Sequence, residues 1–467
     1  MNDKIRRISK INYKYEWLTT FSIGLLSFFV FTYIDNVSMT VWSLNILDCL
    51  WNGNILDFYN YTALNLHDVH HQYCGSMYLG FIPHAIWNIP IWIAHYFGGV
   101  EITKSVICML WAKLYYVVIL IILIRYSMKC IGENSSEKDK SLLALLISSS
   151  VYVLIAIGYA GQNDILWVTL GLISFHYYLN NDVKKFIIFA ALSMLVKPYF
   201  LIPCIGLILL SEKCVIKIVV KSTLIVSATV VFQCIFFFIP GYRMSTSANN
   251  IQSSMLDNYL SDTLSISYGS ISKIIFILLM IYIGCYIFNT TDQGKWKEYS
   301  IYYMLVINFI WLVFSYEHFY RIIMVLPYLY ITIISRKKLF EINMWLDNII
   351  SGSFIAVYIG SASTFLTPRW SVKPSVIRDI DYENILSVFD LLNKIYSEHT
   401  LNSIFVLMRT VWIGAVTALL LFNSPKISEY MERNQCSNRY VSRGLIWIHI
   451  LIFISFIMLC SFLAYRG

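Results

Sequence analysis

The sequence predicts an all-α polytopic membrane protein of about thirteen transmembrane helices, with interfacial helices in its first outer loop. Three observations predict it. Of 467 residues, 58% are hydrophobic and only 13% are charged, against about 25% charged in an ordinary soluble domain. The apolar residues come in runs of about 20, the length that crosses a hydrocarbon core of about 30 Å. Finally, the basic residues collect in short segments between alternate runs, as the positive-inside rule requires.

The first run spans 17–34 and follows Lys4, Arg6, Arg7, Lys10 and Lys14. Tyr33, Ile34 and Asp35 stand where a cleaved leader would carry small residues, so this is read as an uncleaved signal-anchor. The basic cluster then stays in the cytoplasm, and Asp35 emerges on the far face. Further spans are expected at 106–125, 141–158, 164–179, 185–196, 199–210, 216–239, 272–288, 300–314, 321–335, 349–366, 404–422 and 445–464. The pair within 185–210 is short for two crossings and reads as a broken pair among other helices.

The predicted inner loops carry Arg125, Lys129, Lys138 and Lys140; Lys184 and Lys185; Lys213 and Lys217; Lys295 and Lys297; Arg336, Lys337 and Lys338; and Arg433, Arg439 and Arg443. Topology therefore explains the net charge of +8. The charge forms no single stripe, so no nucleic-acid partner is expected. The chain reads as one transmembrane domain, 1–467, with longer outer segments at 35–104, 240–271 and 367–403. Most of the ten cysteines look like small core residues. Cys49 and Cys74 share the first outer loop and could pair in an oxidising compartment.

That first outer loop is too apolar for a connector. Val41, Trp42, Leu44, Ile46, Leu47, Leu50 and Trp51 recur at helical spacing, which predicts Trp-bearing helices lying flat at the interface. Residues 81–97 are apolar and broken by Pro83 and Pro90, as in an interfacial or re-entrant segment. Together these are expected to roof an outer cavity. Asp35, just past the membrane exit, is placed to act as a general base toward an acceptor hydroxyl; solvation of a helix end is the plainer alternative. Asp48 and Asp57 lie further out and can simply face water. His67, Asp68, His70 and His71 form the densest set of metal-ligand types. No companion cluster has metal-ligand spacing, so no cofactor is expected and a divalent metal stays open.

Four features resemble the GT-C superfamily of integral membrane glycosyltransferases, over about residues 15–335. One helix leads to an acidic residue, Asp35, and a long, Trp-rich helical outer loop. GYAGQNDILWVTLGLIS (158–174) is similar to the family's short outer turn opening into a membrane helix. ALSMLVKPYFLIPCIGLILL (191–210) has the typical Lys-Pro before an apolar helix with a second Pro. SYEHFYRIIMVLPYLYI (315–331) is similar to the family's late turn. The chain has Asp35-Asn36 where the protein O-mannosyltransferase branch has Asp-Glu. It therefore looks closer to the mannosyltransferase-like and bacterial polyprenyl-dependent branches, and the acceptor class stays open.

The resemblance implies a polyprenyl-phosphate sugar donor, a glycan or glycolipid acceptor, surrounding membrane lipids and inversion at the anomeric carbon. Lys197, His318 and Arg321 fall at predicted outer helix ends, where cations can hold a departing phosphate; snorkelling to the interface would also place Lys and Arg there. Glu317, Asp164 and Gln162 would orient these cations or meet sugar hydroxyls. Lys113 lies inside a predicted span, facing either the donor groove or the interface. Arg369, Lys373 and Arg378 form a further outer patch best read as solvated. A polysaccharide polymerase or ligase would place its longest outer loop later in the chain. A flippase or transporter would be expected to show repeated halves. With no ER-retrieval signal, a bacterial inner membrane is the expected location.

Overall fold

The computed structural model describes residues 13–30, 34–64, 74, 78–102, 105–132, 135–248, 263–266, 269–314, 319–361, 388–434 and 443–466. It is all-α apart from one short hairpin, in which Thr263–Ile266 pairs antiparallel with Gly269–Ser272. The hairpin ends the second predicted outer segment; the alternation of Thr263, Leu264, Ser265 and Ile266 is a strand signal that the all-α expectation passed over.

Where the residues are described, the expected stretches lie largely in helices or pairs of helices; 31–33 and 362–366 lie outside the described residues. Among the described residues, however, only Val106–Cys130, Val215–Phe236, Lys337–Ile359 and Glu398–Phe422 are long and apolar enough to cross a membrane on those grounds alone. A fifth span arises if Glu137–Ser148 and Val151–Gly158, bent by 44°, count as one. By length and composition the number is thus four or five, fewer than expected. Backbone breaks cause part of the difference. Lys197 is extended (φ −153°, ψ 137°) because the ring of Pro198 excludes it from the α region. It separates helix Val183–Val196 from the turn Pro198–Phe200 and helix Leu201–Ser211. This is the broken pair that the sequence predicted. Likewise the turn Phe319–Met324 precedes helix Leu326–Ser335, with Pro327 in its first turn.

Two apolar cores result. The larger joins residues such as Leu145, Tyr152, Leu172, Phe175, Val325 and Leu329. The second gathers Trp42, Phe58, Tyr59, Phe81, Trp92 and Met109 with Phe232 and Phe236. The described residues of the first predicted outer loop therefore pack as a cap with its own core on the ends of helices Val106–Cys130 and Val215–Phe236.

Here the structure corrects the expected surface helix. Helix Ile34–Trp51 buries most of its apolar residues together with Asn36, Ser38, Thr40, Ser43 and Asn45; among its described side chains only Leu50 and Trp51, at its end, are exposed. Its polar side chains bond locally or across the cap. Thr40 Oγ1 donates to the Asn36 carbonyl (2.6 Å) and Ser43 Oγ to that of Thr40 (2.6 Å). Asn88 Nδ2 then donates to Ser43 Oγ (2.7 Å). Asp48 does not simply face water either: Trp92 Nε1 donates to it at 2.7 Å and the Tyr61 hydroxyl at 3.4 Å. Asp57 accepts from the exposed Asn60 amide at 2.6 Å. Cys49 and Cys74 are both buried in the cap core and are not joined by a disulfide.

The predicted inner loops meet one another. Lys337 pairs with Asp139 (2.5 Å), Arg336 with Glu298, and Arg443 with Glu16. Trp17 Nε1 donates to Ser141 Oγ at 3.2 Å. The first predicted outer segment meets the turns around Gly161–Asn163 and Val196–Lys197 at the site described below, away from these ion pairs in the chain.

Deeper among the later helices, Asp347 and His449 lie 3.0 Å apart, both buried, and the Tyr330 hydroxyl donates to the same carboxylate at 3.3 Å. Asn343 and Asn423 exchange amide hydrogen bonds at 3.0 and 2.7 Å. These contacts fasten helix Phe340–Ser361 to its neighbours.

Helix Leu201–Ser211 approaches Gln293–Phe314 closely: a Cβ on Gly206 would sit 2.0 Å from the Tyr303 hydroxyl oxygen. That hydroxyl donates to the Pro203 carbonyl at 3.0 Å, so the ring has little room to yield. Gly206→Ala is expected to destabilise the protein by about 1–3 kcal/mol through overpacking, read as a lower Tm in detergent.

Candidate functional site

The site begins at the turn after the π-helical segment Leu154–Tyr159. Gly161 has φ +59°, a conformation that costs other L residues about 1–2 kcal/mol. A Cβ there would also lie 2.7 Å from Asn36 Cβ. Glycine is therefore required both for the turn and for close approach of the cap. Asn36 in turn donates its side-chain amide to the Met109 carbonyl at 3.5 Å. Asp35 occupies the position before it, at the start of helix Ile34–Trp51; its side chain lies outside the described part of the structure.

A second cap contact seals the other side. Asn163 Nδ2 donates to the Gly80 carbonyl at 2.7 Å. A Cβ on Gly80 would meet Val196 Cγ1 at 3.1 Å, so the turn Tyr78–Phe81 lies against both the Asn163 turn and the end of helix Val183–Val196. Gly161→Ala should disrupt this seat. We expect a loss of about 2 kcal/mol or more from the left-handed backbone and the clash combined, measured as a Tm drop.

Asp164 opens helix Asp164–Leu179, where the helix dipole favours an anion. It is completely buried. Its Oδ1 lies 2.6 Å from Lys197 Nζ and accepts from Trp167 Nε1 at 2.9 Å. The Arg321 charge also acts on this carboxylate. Arg321 is buried, with its guanidinium 4.6 Å from the centre of the Tyr199 ring, a cation–π arrangement. Tyr199 stands 5.9 Å from Trp167 and 6.4 Å from Trp311, ring to ring. Two cations and one carboxylate are thus held in an aromatic frame under the cap.

Of the expected site residues, the structure brings together Asp164, Lys197 and Arg321, with Gln162 buried two positions before Asp164. Lys197 does not snorkel, since it reaches inward to a buried acid. Lys113 does not either; its side chain is fully buried. Glu317 and His318 lie outside the described residues, as do His67, Asp68, His70, His71, Arg369, Lys373 and Arg378. Among the described residues no three His, Cys, Asp or Glu side chains are grouped to hold a metal ion.

Sequence reasoning missed Trp167, Tyr199, Asn163, Gly80 and the contact role of Asn36. Trp167 was recoverable, because residues three apart share a helix face. The Gly80 and Asn36 contacts join distant segments and left no local signal. No protein-family model, curated protein or solved structure matches the chain.

Proposed function

We propose that the protein is a membrane glycosyltransferase that moves a monosaccharide from a polyprenyl-phosphate donor to a glycan or glycolipid acceptor, with inversion. In this reading it has about thirteen spans and a GT-C-like plan. It sits in a bacterial inner membrane with a cytoplasmic N-terminus and its site on the outer face. The observation that carries the reading is the buried Asp164–Lys197–Arg321 cluster beneath a cap whose first helix, Ile34–Trp51, carries Asp35 in its first turn.

The chemistry follows from the charges. Asp35 takes the proton of the acceptor hydroxyl as its oxygen attacks the anomeric carbon. The bond from that carbon to the phosphate oxygen breaks, and polyprenyl phosphate leaves with the bonding pair. Negative charge grows on the phosphate, so preset cations stabilise the transition state more than the ground state. Arg321 can meet a phosphate with two parallel hydrogen bonds, while Lys197 supplies a point charge. Asp164 fixes where Lys197 stands. His318 and Glu317, three and four positions before Arg321 in the chain, would join the phosphate and orient the cations. Gln162 would meet sugar hydroxyls.

The test is sugar transfer by the purified, reconstituted protein, offered a panel of polyprenyl-phosphate monosaccharides with lipid and glycan acceptors. Transfer from one donor that is lost in Asp35→Asn supports the reading, and loss with EDTA would add a divalent metal. Folded protein with no transfer across the panel would overturn it. The alternatives would then be a surface-polysaccharide polymerase or ligase, or a lipid-linked oligosaccharide flippase.

A further inference from the structure

A second buried polar cluster lies among the later helices, apart from the candidate site. Asp347 on helix Phe340–Ser361 and His449 on helix Arg443–Arg466 are both buried, with the ring Nδ1 3.0 Å from the carboxylate. The approach is off the line of a ring N–H, so charge rather than a straight hydrogen bond joins the two. The other ring nitrogen fixes the proton count. Helix Glu137–Ser148 breaks at Ser149 and Ser150 and bends by 44° into the next segment. There the Ser150 N–H turns to the Ile147 carbonyl at 3.3 Å. The Leu146 carbonyl, which a continuous helix would give to Ser150, faces His449 Nε2 at 3.2 Å instead. A carbonyl only accepts, so Nε2 carries a hydrogen.

If that were the ring's only hydrogen, the Nδ1 lone pair would face a buried carboxylate. The other group on that carboxylate is a neutral hydroxyl, Tyr330 at 3.3 Å. A buried carboxylate without a cation is strongly unfavourable. Among the described residues no Lys or Arg pairs with Asp347. Arg443, six positions before His449 (449 − 443) and so about 9 Å away along the helix, is paired with Glu16. One further hydrogen on the pair makes it neutral overall. The other titratable side chains facing it are Tyr330 and Tyr152, and the Asp347 charge acts on both. Helix Glu398–Phe422 turns Trp412, Ala415, Val416 and Leu419 inward, none of which titrates. The cluster also reaches both segments of the candidate site. Ser351, one turn beyond Asp347, donates to the Tyr152 hydroxyl at 3.2 Å, and Tyr152 precedes segment Leu154–Tyr159 and the Gly161 turn. Tyr330 lies on the helix that follows the turn carrying Arg321.

We propose that Asp347 and His449 form a proton-binding site within the helix bundle. Its one shared proton locks helix Phe340–Ser361 onto the segment leading to Asp164 and the segment leading from Arg321. Loss of that proton leaves a bare carboxylate, and a second proton leaves a bare imidazolium, so the docked helices hold one. None of this depends on sugar transfer.

The experiment uses the full-length protein in detergent at about pH 8, where an unfolded histidine, titrating near about 6.5, is mostly neutral. With the histidine ring nitrogens isotope-labelled, NMR reads the protonation of His449, assigned by the signal lost in His449→Gln. Infrared spectroscopy reads the Asp347 carboxyl, assigned by Asp347→Asn. The proposal expects either a doubly protonated ring beside an ionised carboxylate or a neutral ring beside a protonated carboxyl. A neutral ring beside an ionised Asp347 would overturn it. Because folding takes up the proton above the ordinary histidine range, stability falls there as pH rises. From about pH 7 to 9 the wild-type Tm should therefore fall more steeply than that of Asp347→Asn with His449→Gln, by the equivalent of about one proton. That double variant keeps a donor for the Leu146 carbonyl and carries no charge; should it not fold, Asp347→Asn alone gives the same comparison. Parallel curves would overturn the locking role.

Discussion

Asp35→Asn is expected to lower the transfer rate by about 10²–10⁴-fold, the usual contribution of a general base. The amide keeps the shape of the carboxylate and one of its two acceptor oxygens, the other becoming an NH2 donor, so the variant should be recovered folded. It cannot take up the acceptor proton. Donor binding is assigned in the proposed function to Arg321 and Lys197 instead, so KM for the donor should change little. This split between kcat and KM marks an interaction made only in the transition state. It is measured by steady-state transfer in proteoliposomes, with folding checked by size-exclusion chromatography. A variant that retains wild-type kcat would move the base elsewhere in the cap.

The largest effect on stability is expected at Asp164. Removing one partner of a buried ion pair leaves an uncompensated charge and costs about 3–5 kcal/mol. In Asp164→Ala, Lys197 would lose its buried counter-ion and Arg321 a nearby negative charge, and the Trp167 indole N–H would lose its acceptor. Thermal unfolding in detergent should show a large fall in Tm. A companion variant separates folding from function. Asp164→Asn with Lys197→Met removes both charges and keeps similar volumes, a replacement that is often close to neutral for stability. We expect that double variant to recover most of the lost Tm yet remain poor at transfer, because one phosphate cation is absent. Full activity in the double variant would show that Lys197 serves packing alone.

Much of this arrangement could be read from the chain. Helix positions followed from the apolar runs, and the break at Lys197 followed from the proline after it. The grouping of inner loops followed from charge, and the ion pairs at Asp139, Glu298 and Glu16 now join those loops. What periodicity misled was the cap. Helix Ile34–Trp51 carries Asn36, Ser38, Thr40, Ser43 and Asn45 between its apolar residues, which reads as a wet face. Small hydroxyls can satisfy themselves on carbonyls of their own helix, as Thr40 and Ser43 do, so such a face can be buried at little cost. Within the site, residue types identified Asp164, Lys197 and Arg321 as functional candidates, yet not that one is the counter-ion of another. That pairing depends on how two helices dock, and single-sequence spacing carries no record of it.

The Asp164–Lys197 pair also bears on how the protein is made. Asp164 opens one helix and Lys197 directly follows the next, the two joined by the short turn at Asn180–Asp182, so their contact can form as soon as that hairpin has left the ribosome. Arg321 lies 124 positions after Lys197 (321 − 197), which at about 5–20 residues per second is a delay of about 6–25 seconds. During that interval Lys197 enters the bilayer with its neutralising partner already at hand, and the hairpin need not carry a bare charge into lipid. The cluster acquires its second cation only when the later half of the chain arrives, so a nascent protein that has inserted its first helices would be stable enough to wait but unable to react.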